Sequence, residues 1–491
     1  MEMSKTSGGP GLRSGAITAV GASAIAMAFM GPATSVNFNT APGAAQAGYG
    51  LPLGTLLALV VCLSLAFTIG SFARRMPTAG FAYTFNTAAF GRAGGFLSGW
   101  TLTFAYLAVG PMLFAALGSF THDWLIANVS IDIPWWLLSL AAIALVFSIG
   151  SRGLERSAVT AVVLLTIEVT VILALSITIL VNAHHVSLSA FSPSSSLHGI
   201  TGIRFGMLWG VLMFVGFEMA ATLGEETRDP RRGVPRALYV AVGGIGVLYV
   251  FASFAAATGF GPGAGSRAFA ANPAPWTSLA DSNWGSSLAW ILTLTVICSQ
   301  FANSVAGSNG AVRMLYSLGR ERLLPRQLAR TGASGSPIGA WIFFIALSTA
   351  ITLALGFAMG PLNVYSWMGT LLGLGICLIY ISVNVALMCW LWRNDRRSFS
   401  WWKHGLIPVA SSLLLTQPIW GQIHPYPAYP ISLVPPILVV WVVGGVGYFL
   451  YLRARAPEVL GGMGRAWGEE AATVSPAEAE LLPPAVELRS A

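Results

Sequence analysis

Charged residues are scarce in this chain, and lysine is almost absent. Asp, Glu, Lys and Arg make up 9% of the 491 residues, whereas 55% are hydrophobic, and the two lysines are Lys5 and Lys403. A soluble domain carries about 25% charged residues. The composition therefore excludes an ordinary soluble domain and predicts an all-α polytopic membrane protein.

Cysteine and histidine are also rare, which limits the chemistry that the chain can carry. The four cysteines lie inside apolar segments and have neither disulfide nor metal-ligand spacing. The adjacent His184 and His185 have no paired carboxylate at a metal-ligand spacing, and there is no glycine-rich phosphate loop. We therefore expect no metal, no cofactor and no enzymatic activity.

The apolar residues are grouped into twelve segments long enough to cross a bilayer, which takes about 20 residues. These segments are 15–42, 51–72, 95–120, 134–151, 157–183, 202–224, 236–258, 286–314, 338–359, 364–392, 405–422 and 430–452. No cleavage site precedes the first segment, so it is expected to be retained.

The basic residues are distributed asymmetrically about these segments. With both termini in the cytoplasm, all of the 26 basic residues except Arg204 and Arg267 fall on the cytoplasmic side. This is the positive-inside pattern of a cytoplasmic-membrane protein. The net charge of +8 thus reflects topology, and no nucleic-acid partner is expected.

Two of the twelve segments are interrupted near their middle. Gly31 and Pro32 interrupt the first, and Gly216 interrupts the sixth next to the intramembrane carboxylate Glu218. The sixth segment lies five positions after the first in the order of segments, so the second copy enters the membrane from the opposite side. Paired broken helices in two inverted halves indicate the midplane binding site of a secondary transporter, although Gly and Pro also permit close helix packing.

Four landmarks in order resemble the amino acid/polyamine/organocation permease superfamily, of the bacterial amino acid permease type. They are the loop 74–83, the glycines Gly91, Gly95 and Gly99 with Trp100, the break and exit at 216–237, and the segment 309–325. The resemblance spans nearly all of residues 15–452. It implies twelve transmembrane helices in the LeuT-type five-plus-five inverted repeat, with broken first and sixth helices and two C-terminal helices.

The resemblance also implies a division of the chain. The first repeat comprises residues 15–183, an external loop 184–201 follows, and the second repeat comprises 202–392. The two further helices occupy 393–452. Cytoplasmic tails cover 1–14 and 453–491, and the second tail, rich in Pro, Ala and Glu, is predicted to be disordered.

Carried over to this chain, the resemblance implies a substrate site at the two breaks. The substrate carboxylate is expected at the first break, near Met30 and Gly31, on the amides of Ala33, Thr34 and Ser35 at a half-helix N-terminus. Pro32 departs from the family pattern because it has no N–H to donate. The free carbonyls of Phe214, Val215, Gly216 and Phe217 are expected to hold an amino group. Tyr106 is expected to line and gate the pocket.

The coupling ion is predicted to be a proton rather than sodium. Glu218 is expected to bind and release the proton, and Glu168 is expected either to share this role or to pack against hydroxyls of a neighbouring helix. For sodium, the ligands would be carbonyls of the broken first helix together with an oxygen of Ser299, Asn303 or Ser304. These residues form a polar face that could equally hold helices together.

The sequence therefore predicts an importer of amino acids, with a small-molecule substrate, a coupling ion and the lipid bilayer as partners. A carrier or exchanger of polyamines or other amines remains an alternative, in which Glu168 and Glu218 bind ammonium groups and the anion site at the first break is unused. A nutrient sensor that binds without transporting has the same sequence features.

Overall fold

The computed structural model describes residues 18–76, 81–152, 158–183, 185–222, 227–332, 335–461 and 463. The predicted tail 1–14, most of the predicted tail 453–491, residues 77–80 of the first landmark, and Glu225 and Glu226 of the third lie outside the described residues.

The described residues form α-helices joined by turns and by longer connections that contain 3-10 or π-helical turns, with no β-strand among them. The helices are α1 Ala19–Met30, α2 Pro32–Ala47, α3 Leu51–Ala73, α4 Phe81–Leu107, α5 Val109–Val129, α6 Trp135–Ser151, α7 Ala158–Asn182, α8 Gly199–Phe214, α9 Met219–Thr222, α10 Pro230–Phe260, α11 Ala264–Ala271, α12 Pro275–Trp284, α13 Ser286–Arg320, α14 Ile338–Met359, α15 Pro361–Asn394, α16 Ile407–Gly421, α17 Val434–Arg455 and α18 Pro457–Gly461.

The helices confirm the prediction of a multi-pass membrane protein. Within the described ranges, 9 helical segments are long and apolar enough to cross a membrane. The first of them, Ala19–Ala73, takes in α1 to α3, and the second, Phe81–Val129, takes in α4 and α5. The exact twelve-span inverted repeat stays a prediction.

Several predicted boundaries differ from those of the helices. Helix α8 begins at Gly199, inside the predicted external loop, and α15 continues to Asn394. Helices α17 and α18 extend to Gly461, so the first residues of the predicted disordered tail are helical. The reason is local packing, because Leu452 and Leu460 are buried in a cluster with Tyr83 and Phe96 of α4.

The two interrupted helical pairs lie side by side at the centre of the bundle. Helix α2 packs against α8 and α13, and α1 packs against α7 and α10. Helices α3 and α15 both contact α8. The breaks are therefore surrounded by helices that come from distant parts of the chain.

Close contact between α8 and α3 depends on glycine. A Cβ atom added to Gly210 would lie 3.0 Å from the Cβ of Ala58 and 3.2 Å from the carbonyl oxygen of Gly54. Small residues at such positions let two helix backbones approach in a membrane. By contrast, a Cβ added to Gly243 of α10 would meet nothing within 4 Å.

We expect Gly210→Leu to destabilise the bundle, because a larger side chain has no space between α8 and α3. The loss should be at least the ~1–3 kcal/mol typical of overpacking, and it is measured as a lower melting temperature of the purified protein in detergent. Gly243→Leu is the matched control and should leave the melting temperature nearly unchanged. Equal losses in both variants would contradict this account of the packing.

Candidate functional site

The first break is a sharp turn at Gly31 between α1 and α2. Gly31 has φ +52 and ψ 72, a left-handed conformation that glycine adopts at little cost. The Met30 carbonyl just before the turn accepts hydrogen bonds from the Ser35 hydroxyl at 2.6 Å and from the Tyr249 hydroxyl at 3.4 Å. A Cβ added to Gly31 would lie 2.6 Å from Nδ2 of Asn303, so α13 borders the turn closely.

The N-terminus of α2 already holds an anion, which is the side chain of Glu168 from α7. The Ala33 amide donates to Glu168 Oε2 at 3.1 Å, and the Ser299 hydroxyl donates to the same oxygen at 2.8 Å. The Thr34 amide and hydroxyl donate to Ser299 Oγ at 3.2 Å and 3.0 Å. Glu168 is 5% exposed. Its carboxylate thus lies where the sequence predicts the carboxylate of the substrate.

One of the three predicted anion-binding amides does not contribute. The Ser35 amide donates to the Gly31 carbonyl at 2.7 Å, so it is used inside the first turn of α2. A continuing helix reuses this amide, so the amides of Ala33 and Thr34 are the ones that face out of the helix at the break, and the role of Ser35 in a substrate site stays a prediction.

The second break follows α8 and is formed by Val215, Gly216, Phe217 and Glu218. Gly216 has φ +114, and a Cβ added to it would lie 2.1 Å from Cδ1 of Phe29 on α1. Only glycine fits this contact, which joins the two breaks.

The carbonyls at the second break are less available than predicted. The Phe214 carbonyl accepts from the Phe217 amide at 3.1 Å, the Gly216 carbonyl from the Met219 amide at 3.0 Å, and the Phe217 carbonyl from the Ala220 amide at 3.2 Å. Three of the four carbonyls that were expected to be free are thus hydrogen-bonded. The break is a tight turn stabilised by its own backbone.

Glu218 is the polar centre of the second break and is 0% exposed. Its Oε1 accepts from the Tyr106 hydroxyl of α4 at 3.1 Å. Its Oε2 accepts from the Tyr380 hydroxyl of α15 at 3.1 Å and from the Gly216 amide at 3.0 Å. The Phe217 ring lies 5.9 Å from the ring of Tyr380. A tyrosine hydroxyl can donate or accept, so this arrangement can serve the carboxylate and the carboxylic acid in turn.

The predicted ion-coupling residues of α13 separate into two groups. Ser299 and Asn303 border the first break. Ser304 instead donates to the carbonyl of Gln300 at 2.8 Å, and Gln300 donates to the Leu113 carbonyl of α5 at 3.0 Å. The Ser304 hydroxyl thus donates to its own helix, since Ser304 lies one residue beyond Asn303 and a helix turns by about 100° per residue; its part in ion coupling stays a prediction.

Both breaks are closed in this structure. Met30, Phe214 and Phe217 are at most 1% exposed. On one side of the breaks, Tyr365 of α15 donates to Asn39 of α2 at 2.8 Å. On the opposite side, Tyr83 donates to Glu321. A cavity of about 780 Å³ lies elsewhere, between Trp100, Leu324, Ile342 and Trp441. Entry of a substrate to the breaks therefore requires helices to move.

Sequence reasoning missed Tyr380, because no motif or spacing distinguishes it from a packing residue of α15. It placed Tyr106 in the pocket and proposed hydroxyl partners for Glu168, but did not anticipate that Glu168 lies at the N-terminus of α2.

Comparisons with known proteins agree on the type of molecule. Residues 20–453 match the family described as amino acid permease. The chain is 26% identical over 384 residues to the branched-chain amino acid permease BcaP of Lactococcus lactis. The aligned region covers 73% of this chain and 78% of BcaP. It is 24% identical over 362 residues to the low-affinity putrescine importer PlaP of Escherichia coli (71% and 75%). It is 25% identical over 325 residues to the lysine-specific permease LysP of L. lactis (62% of each).

We expect Tyr380→Phe and Glu218→Gln to be energetically coupled. Each variant should lower the melting temperature, because a hydrogen bond to a charged group contributes about 1.5–3 kcal/mol. The double variant should lose little more than the worse single variant. Tyr365→Phe is the control, since its hydroxyl bonds to Asn39, and its effect should add to that of Glu218→Gln. Additive losses for Tyr380 would show that the hydrogen bond is not formed.

Proposed function

Because this chain belongs to the amino acid permease family, we propose that it is a secondary active transporter that imports a small molecule bearing an ammonium group, either an amine or an amino acid. The substrate binds between the two breaks, and the helices around them open to each side of the membrane in turn. One observation carries the proposal: a buried carboxyl group lies at each break, Glu168 at the first and Glu218 at the second. A carboxylate held inside the membrane can bind the ammonium group of a substrate.

The geometry best supports an organic amine as the substrate. The first-break amides that a substrate carboxylate would use are bonded to Glu168 and Ser299. An amine can bind to Glu168 without displacing its side chain, and Glu218 then remains available for the coupling proton. The similarity to a putrescine importer is consistent with this choice.

An amino acid is the second candidate, and the names of two relatives favour it. Its carboxylate would compete with Glu168 for the Ala33 amide. Protonation of Glu168 would weaken its hold on this amide, because a neutral acid is a poorer acceptor than a carboxylate. In this case Glu168 takes up a proton when the amino acid binds, in addition to the coupling proton on Glu218.

The coupling ion in this proposal is a proton, carried by Glu218. Burial disfavours the charged form of a carboxyl group, whereas the three donors around Glu218 favour it. These opposing effects allow a proton to be bound and released during transport. Sodium is the alternative coupling ion, and the side-chain oxygens of Ser299 and Asn303 at the first break are its candidate ligands.

The two substrates predict opposite effects of pH on binding. Protons compete with an amine for Glu168, so amine affinity should fall as pH falls. An amino acid needs protonated Glu168, so its affinity should rise as pH falls. We would measure the melting temperature of the purified protein with amino acids and with their decarboxylated amines, since a ligand that binds only the folded state stabilises it.

Glu168→Gln separates the two candidates further. For an amine, the variant should lose at least tenfold in affinity, about 1.4 kcal/mol. For an amino acid, it should still bind, and the pH dependence should disappear. Counterflow of the labelled ligand in proteoliposomes completes the experiment, because binding without counterflow would overturn the transport proposal in favour of a sensor.

We expect Glu218→Gln to flatten the pH dependence of uptake while leaving substrate exchange measurable. Glutamine keeps the hydrogen-bonding shape but cannot exchange a proton. The measurement is uptake into proteoliposomes driven by an imposed pH gradient in sodium-free buffer. Unchanged pH dependence would exclude Glu218 as the proton carrier, and uptake that requires sodium would exclude proton coupling altogether.

A further inference from the structure

Four arginines surround one cavity at an end of the bundle, away from the breaks. Arg74 follows the last residue of α3, and Arg231, Arg232 and Arg236 belong to the first two turns of α10. All four are exposed, and the cavity has a volume of about 460 Å³. The two helices are held together here, since a Cβ added to Gly70 would lie 3.2 Å from the Cβ of Pro235.

These four guanidinium groups have no ion-pair partner among the residues that the structure describes. The neighbouring Arg75 does have one, as its Nε lies 3.4 Å from Oδ2 of Asp395. The pKa of Asp395 is lowered by its hydrogen bonds with Ser398 and by the charge of Arg75. Glu225 and Glu226, close in sequence, lie outside the described residues.

The position of the arginines on α10 is electrostatically unfavourable. The N-terminus of a helix carries a partial positive charge, which repels cations and attracts anions. Three arginines in the first two turns add to this charge. The positive-inside rule explains why arginines occur at this end of the bundle, but it does not require them to converge on one cavity.

An apolar surface continues from the cavity along α10. Arg236, Val240, Gly243 and Val247 are spaced by three or four residues and therefore share one face of the helix. Val240 is 54% and Val247 64% exposed, and a Cβ added to Gly243 would meet nothing within 4 Å. A positively charged cavity next to an exposed apolar face fits a ligand with an anionic head and a hydrocarbon tail.

We propose that this cavity binds the phosphate of an anionic phospholipid, with one acyl chain lying along the face of α10 formed by Val240, Gly243 and Val247. Basic cavities between helices on the cytoplasmic side are suited to anionic head groups, and arginine bonds phosphate through two parallel N–H groups. The bound lipid neutralises the arginines and fixes the end of α3 against the start of α10.

The test compares lipid binding by two variants with the same change in charge. Arg231→Gln/Arg232→Gln removes two arginines from the cavity. Arg453→Gln/Arg455→Gln removes two exposed arginines from the end of α17. This end of α17 lies at the same end of the bundle as the cavity, because Leu452 packs against Tyr83, which belongs to the first turn of α4 just after α3 ends. The full-length chain in detergent is titrated with phosphatidylglycerol or phosphatidylcholine, and bound lipid is counted by native mass spectrometry.

We expect the wild-type chain to retain one phosphatidylglycerol in preference to phosphatidylcholine. The affinity for phosphatidylglycerol should fall at least fivefold in Arg231→Gln/Arg232→Gln and remain unchanged in Arg453→Gln/Arg455→Gln. Equal losses in the two variants would mean general attraction to basic residues and would overturn the proposal. A melting curve of each variant without lipid confirms that it is folded.

Two further ligands identify the part of the lipid that is bound. Inorganic phosphate and glycerophosphoglycerol, which lack acyl chains, should not displace phosphatidylglycerol at equal concentration. If either displaces it, the site binds a soluble phosphate and the lipid assignment is wrong. Substrate uptake is not part of this measurement. The result therefore tests the lipid site independently of the proposed function.

Discussion

The structure depends on the need to satisfy backbone groups where a helix is interrupted inside a membrane. Without water, each free amide or carbonyl costs several kcal/mol. At the first break the amides of Ala33 and Thr34 donate to Glu168 and Ser299, and at the second the amide of Gly216 donates to Glu218. Helices α7 and α13 are therefore required at the first break as suppliers of acceptors, and the packing around α2 follows from this requirement.

Much of the architecture could be predicted because it depends on local properties of the sequence. The apolar segments predicted the membrane helices, and Gly31 and Gly216 marked both breaks, since glycine adopts positive φ angles at little cost and leaves room for the close contacts with Asn303 and Phe29. The partners of the carboxylates could not be predicted in the same way. Glu168 is 135 positions from Ala33, and Tyr380 is 162 positions from Glu218, so tertiary packing decides which side chains meet.

The polar face of α13 shows that the sequence does not predict which of its side chains border the first break. Ser299, Asn303 and Ser304 fall on one side of the helix, and the sequence treats them alike. In the structure Ser299 and Asn303 border the first break, whereas Ser304 bonds to its own helix. A rotation of about 100° per residue is enough to turn the next side chain from the edge of the break to a hydrogen bond within its own helix.

The two breaks are also in direct contact, which matters for how a proton could drive transport. Phe29 of α1 fills the space beside Gly216, and the amide of Gly216 is held by Glu218. Protonation of Glu218 weakens this hydrogen bond, because the neutral acid is a poorer acceptor than the carboxylate. In the proposed proton-coupled cycle, a looser Gly216 would give room to Phe29, which lies two residues before the turn at Gly31. A change of charge at the second break can thus alter the geometry of the first, where Glu168 closes the end of α2.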